Sequence, residues 1–118
     1  MGLDSNKDLI VWQKSMELAI KIYEITSQLP QSEKFGLSSQ MNRCAVSIPS
    51  NIAEGSKRGT RKDFCNFVTI AYGSSAELET QLILLRNLPF GKNIDTSIAE
   101  KLLAEVMKML NSMRQKLK

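Results

Sequence analysis

One apolar stripe restricts the folds open to this chain more than any other feature. Ala99, Leu103, Val106, Leu110, Met113 and Leu117 recur in strict steps of four and three, the spacing that sets every member on one face of an α-helix and forms a bundle seam. A helix with such a seam draws most of its stability from the partners that cover it, so other helices must be close.

The rest of the chain supplies them. A first segment, residues 7–29, carries Leu9, Trp12, Met16, Ala19 and Tyr23 at helical spacing and is closed by Pro30. Beside that stripe runs a second, Val11, Leu18, Ile22, Ile25 and Leu29, so the polar face is only about 100° wide. That is more apolar surface than one bundle needs, and Val11, Leu18, Ile22 and Ile25 are therefore expected to meet another subunit. Residues 33–54 place Leu37, Met41, Cys44, Ile48 and Ile52 on one face. Residues 61–88 carry Phe64, Phe67, Val68, Ala71, Leu78, Leu82 and Leu85, with a small-residue patch, Gly73 to Ala76, where another helix can approach closely. The seam of residues 95–117 completes the set. Nothing alternates with the period of a strand, so the spacing predicts an all-α, antiparallel up-down-up-down four-helix bundle, a single domain over residues 1–118.

Composition then narrows the chemistry. The chain has no histidine, which removes the commonest general base near neutral pH and the commonest metal ligand. Cys44 and Cys65 are far apart with no C-x-x-C pairing, and no signal-peptide pattern or bilayer-length apolar run is present, so a reduced, cytoplasmic protein without a membrane anchor is expected. Sixteen Lys and Arg against twelve Asp and Glu give a net charge of +4, which favours an acidic partner such as nucleic acid.

The charge gathers in one stretch, SIPSNIAEGSKRGTRKDF. Pro49 has no N–H and crowds the carbonyl of Ala45, predicting a kinked but continuous helix, with Ser47 or Ser50 able to bond the freed backbone. Gly55 reads as the left-handed residue after the helix end, and Thr60-x-x-Asp63 as a capping box opening the next helix. Arg61 and Lys62 fall in that helix's first turn, where the helix dipole disfavours cations by roughly 0.3–1 kcal/mol each. A phosphate would favour the arrangement, with open backbone N–H groups flanked by Lys57, Arg58, Arg61 and Lys62. The competing reading is a solvated basic turn. No Walker-type phosphate loop is present.

A polar face also runs along the second segment through Gln40, Arg43, Ser47, Asn51 and Glu54. Facing Ser74, Glu77 and Gln81 of the third segment, with Glu79 assigned to the same layer, it reads as a hydrogen-bonded layer that fixes helix register, with RNA contact or a carboxylate metal or acid–base site as the weaker alternatives. Bundle di-iron sites use Glu-x-x-His pairs, which this chain cannot form. Trp12 and Tyr23 read as packing residues, and Cys44 as a buried, inert thiol.

Three stretches, LIVWQKSMELAIKIYEIT, LPQSEKFGLSSQMNRCAVSIPSNIAEGSKR and KDFCNFVTIAYGSSAELETQL, resemble the bacterial four-helix-bundle family encoded by intervening sequences within 23S ribosomal RNA genes, also labelled S23 ribosomal proteins. The stretch from Ser47 to Gly55 is the most specific part of the resemblance; Asn42 departs from it, where a second basic residue often precedes Arg43. The resemblance implies a homopentameric ring and kinship with the basic accessory proteins of diversity-generating retroelements, which bind nucleic acid and support a reverse transcriptase. The family name records gene location, so membership of the ribosome does not follow from it.

The sequence thus leads to a non-enzymatic homo-oligomer that needs no cofactor and binds RNA or DNA phosphates through Lys57, Arg58, Arg61 and Lys62, with Arg43 secondary. An oligomeric protein–protein adaptor is the alternative. A metal-dependent hydrolase using Glu54, Glu77 and Glu79 ranks third.

Overall fold

The computed structural model of the chain describes residues 6–118, so residues 1–5 of the single domain read from the sequence lie outside the described part. Four helices follow one another: α1, Asn6–Thr26; α2, Leu37–Ser56; α3, Arg61–Asn87; and α4, Ser97–Leu117. Single 3-10 turns at Gln31–Glu33 and Pro89–Gly91 shape two of the connections. Each helix packs on two neighbours in the cyclic order α1, α2, α3, α4, and the backbones of the diagonal pairs do not approach one another. The all-α four-helix reading therefore holds, with no strand among the described residues.

Local chemistry explains where each helix stops. The end of α1 tightens into i→i−3 bonds, Gln28 N–H to Ile25 carbonyl and Leu29 N–H to Thr26 carbonyl, tucking Leu29 into the core short of Pro30. The Glu33 carboxylate accepts from the Leu37 N–H at 3.2 Å, so a residue expected inside the second helix instead lies before it and caps it. The Thr60 hydroxyl accepts from the Asp63 N–H at 3.1 Å and opens α3. Asp95 accepts from both the N–H and the hydroxyl of Ser97, and α4 starts at Ser97, two residues later than the spacing suggested.

The core corrects the reading of α1. Val11, Leu18, Ile22 and Ile25, expected at a subunit interface, are buried inside the chain's own bundle. Leu9, Met16 and Tyr23, expected inside, are exposed. The second stripe is the inward one because that face runs Val11, Ser15, Leu18, Ile22, Ile25, Leu29, the same four-and-three spacing as α4. Ser15 hides the pattern, being polar yet fully buried. Its hydroxyl donates to the Trp12 carbonyl at 2.7 Å, so burial leaves no unmet hydrogen bond.

Pro49 lies within α2, buried, and the helix continues past it as expected. Neither nearby serine hydroxyl bonds the carbonyl of Ala45; the Asn51 amide instead donates to the Ser47 carbonyl at 2.7 Å and the Ser47 hydroxyl at 2.9 Å. Gly55 also departs from expectation, since α2 runs through it to Ser56 and the left-handed residue is Gly59, φ +91°. What requires glycine at position 55 is close packing: a Cβ there would lie 2.6 Å from the Cβ of Phe67 and 3.1 Å from the Phe64 ring. The small-residue patch on α3 divides, Ser74 and Ser75 turning toward α2 or the core while Gly73 faces open space.

Two glycine substitutions should therefore move stability in opposite directions. Gly55→Ala should destabilise, because overpacking by about 1–3 kcal/mol outweighs the roughly 1 kcal/mol an alanine gains in a helix. Gly73→Ala should stabilise by roughly 0.5–1 kcal/mol. Urea denaturation followed by circular dichroism measures both.

Candidate nucleic-acid interface

Alternating helix direction brings three chain segments to one end of the bundle: the start of α1, the α2–α3 elbow and the tip of α4. The elbow is built from the turn at Gly59 and the Thr60 cap, with Lys57, Arg58, Arg61 and Lys62 all exposed around it. The four cations have different neighbours. Arg58 bonds Glu54 at 2.7 Å and lies over the Phe67 ring, 4.9 Å from its centroid. The Arg61 guanidinium donates to the Lys116 carbonyl in the last turn of α4. That contact accounts for a cation at the unfavourable start of α3, since the guanidinium reaches the negative end of a neighbouring helix dipole. No side-chain hydrogen bond or ion pair engages the Lys57 and Lys62 ammonium groups among the described residues, so they are the most available for a phosphate.

The tip of α4 enlarges the basic surface. Arg114 stacks on Tyr72, 4.5 Å from the ring centroid, and bonds Asn111 at 2.9 Å, while its Nε is buried without a partner. Lys116 and Lys118 are exposed beside it, and Lys7 and Lys108 border a groove between α1 and α4. Against these cations the same end carries only Asp8, Glu54 and Asp63 among the described residues. The opposite end is balanced, with Glu24, Glu33, Asp95 and Glu100 against Lys21, Lys34, Arg86 and Lys92. The α4 cations are spread around their helix in sequence, and it is the antiparallel order of the bundle that joins them to the elbow.

Arg43 is not part of this end. It lies about 20 Å along α2 from the elbow, by the axial rise of a helix, in a polar groove of about 360 Å³ with Gln40, Cys44, Ser47, Ser74 and Glu77. There the expected polar layer forms in part. The Ser47 and Ser74 hydroxyls are 2.8 Å apart, joining α2 to α3, and Asn51 braces Ser47 from below. Glu54 and Glu79 do not belong to it: Glu54 is held by Arg58 at the elbow, and Glu79 borders a cleft near Arg86 and Glu100, which pair across α3 and α4. Gln81 belongs to the layer as expected, and Cys44, read from the sequence as a core residue, joins it. The Cys44 thiol donates to Glu77 Oε2 at 3.2 Å, and the Gln81 amide reaches the sulfur at 3.5 Å. Burial first, then the hydrogen bond to the Glu77 carboxylate, pushes the thiol pKa up to about 11.

Among the described residues no group of three His, Cys, Asp or Glu side chains gathers where it could hold a metal ion, and no helix is long and apolar enough to cross a membrane. The fold and its charged end define a class: a small all-α bundle with one basic pole. The sequence profile of the 23S rRNA-intervening sequence protein family matches residues 7–112, and the chain belongs to that family. A crystal structure of a protein of unknown function from the S23 ribosomal protein family of Bacteroides thetaiotaomicron superposes with a TM-score of 0.79. The two sequences are 32% identical over 92% of this chain and 98% of that one. No curated protein matches significantly. Neither the family's description nor the neighbour's names a reaction.

The environment of Cys44 has a measurable consequence. At pH 8 iodoacetamide should label Cys65 well before Cys44, and Cys44 only once the protein is unfolded in denaturant. Because the folded pKa lies above the ordinary value, the stability gained by keeping the thiol neutral is complete below pH 9 and is lost as pH rises through about 11. Mass spectrometry of the labelled peptides reads the order of modification.

Proposed function

We propose that the chain is a non-enzymatic, cytoplasmic accessory protein that self-associates and binds RNA or DNA through phosphate contacts at its basic pole. The observation that carries this reading is the convergence of the elbow and the α4 tip, tied together by Arg61 and the Lys116 carbonyl. Lys57 and Lys62 serve as direct phosphate contacts. Arg58 and Arg61 hold the surface in shape and add field, and Arg43 sits too far along α2 to share a phosphate with them. Nothing in this arrangement reads base sequence, so binding is expected to follow charge and salt.

Self-association has its own support. Between α1 and α2 runs a groove of about 780 Å³ bordered by Trp12, Met16, Ile20, Tyr23, Val46 and Pro49, an apolar surface that a second copy would remove from water. Ile70, Ile83, Leu84 and Ile98 are exposed on α3 and α4, away from that groove. That groove, with exposed apolar side chains elsewhere on the subunit, suits a head-to-tail contact that closes into a ring, and the family resemblance suggests five copies. A ring would repeat the basic pole on one rim and multiply weak contacts into useful affinity, provided one nucleic acid spans several subunits. A nucleic-acid-processing enzyme, such as a reverse transcriptase, is the partner class this accessory role calls for.

The same groove favours a second reading, an oligomeric adaptor for another protein. Salt-dependent binding distinguishes the two. In fluorescence anisotropy the nuclease-treated protein should bind structured RNA and duplex DNA with affinity that falls as salt rises, the logarithmic slope being about −0.9 for each phosphate contacted on B-DNA. Lys57→Ser with Lys62→Ser should flatten that slope and weaken binding while leaving thermal stability and oligomer mass unchanged. Undiminished affinity in the double variant, or no binding at low salt, would contradict the phosphate reading.

A further inference from the structure

The groove between α1 and α4 has a chemistry unlike the rest of the basic pole. It measures about 460 Å³, within the size range of small-ligand sites, and Met109 and Met113 contribute its apolar floor. Met113 is buried and Met109 half-buried, whereas Lys108, Ser112 and Lys116 are exposed and stand on successive turns of α4 as one rim. Lys7 stands on the facing edge of α1 beside the Asp8 carboxylate. A groove meant only for phosphate would be polar to its base. This one pairs a cationic rim with a polarisable, apolar floor, the combination that accepts a flat aromatic ring below and its phosphate above.

We infer that this groove seats an unpaired nucleobase, which makes the protein a binder of single strands in preference to duplexes. The inference rests on the phosphate-binding reading above and extends it. The carbonyl of Lys116 receives Arg61, so the groove's rim is continuous with the elbow and one strand can pass from Lys57 and Lys62 over the α4 tip to Lys116 and Lys108. Along that path an unstacked base can turn down onto the methionines. In a duplex the bases are stacked inside the helix, and only phosphates reach the surface, where the lysines and not the neutral Ser112 meet them. The floor carries no fixed donor or acceptor pattern, so all four bases should be accepted, purines no less than pyrimidines.

The test compares a short unstructured oligouridine with a hairpin of equal charge, both by fluorescence anisotropy at the same salt. The single strand should bind about tenfold tighter, the gain expected of one seated base. Ser112→Leu fills the groove without changing charge at an exposed position, and it should bring the strand down to the hairpin's affinity while leaving the hairpin's own binding as it was. Photo-crosslinking of 4-thiouridine in the strand should label the α4 peptide that holds Met109, which gives a readout independent of the variant's folding. Equal affinity for strand and hairpin, both weakened by Lys57→Ser with Lys62→Ser, would overturn the groove inference and leave the phosphate reading intact. A crosslink confined to the elbow would overturn it likewise. Binding of neither probe at low salt would remove the phosphate reading and this inference together.

Discussion

The structure depends on one constraint: each helix must bury a single four-and-three seam, and short connections allow this only if successive helices run in opposite directions. The seam of α4 from Ala99 to Leu117 and that of α1 from Val11 to Leu29 meet on this basis, with Lys14 and Glu105 bridging them at 2.7 Å near the surface. That bridge is partly exposed and contributes little. The buried aliphatic side chains decide the arrangement. Once direction alternates, the elbow between α2 and α3 has to lie beside the start of α1 and the end of α4.

The basic pole follows from that topology. Residues separated by more than fifty positions, Arg61 and Lys116, come into contact only because the third and fourth helices are antiparallel. The contact lets Arg61 occupy the first turn of α3 without the usual penalty, since its charge acts on the C-terminus of α4. Basic side chains concentrate where two helices begin and two end, while most of the acids lie elsewhere along the bundle. Gly55 serves the same end by a different route: it lets the last turn of α2 rest against Phe64 and Phe67, which fixes the angle at which the elbow leaves the bundle.

Much of this was legible in the sequence, and the misreadings have physical causes. Helix count, order and class followed from apolar spacing, and the Thr60 cap from its motif. The second stripe of α1 was not read as the inward one because Ser15 interrupts the true seam; a short hydroxyl side chain that bonds its own helix can be buried at no hydrogen-bonding loss, and spacing alone does not reveal it. Gly55 was read as a turn residue because close helix packing and a left-handed turn ask for the same side chain. The polar layer was only half visible: Ser47, Asn51, Ser74 and Glu77 had the right period, but Cys44 reads as a hydrophobe until Glu77 is placed against it. Glu54 and Glu79 share helices with that layer yet lie outside it, Glu54 held by Arg58 at the elbow and Glu79 bordering a cleft between α3 and α4.

The proposed function puts nucleic acid on the pole where elbow and α4 tip meet. Hydrogen–deuterium exchange of the intact protein, with and without a saturating RNA, tests it most directly because it locates contact without altering a residue. The account calls for new protection at the elbow and in the last turns of α4, with the α1–α2 groove unchanged by RNA. Protection confined to α1 and α2, or spread evenly over the chain, would contradict it.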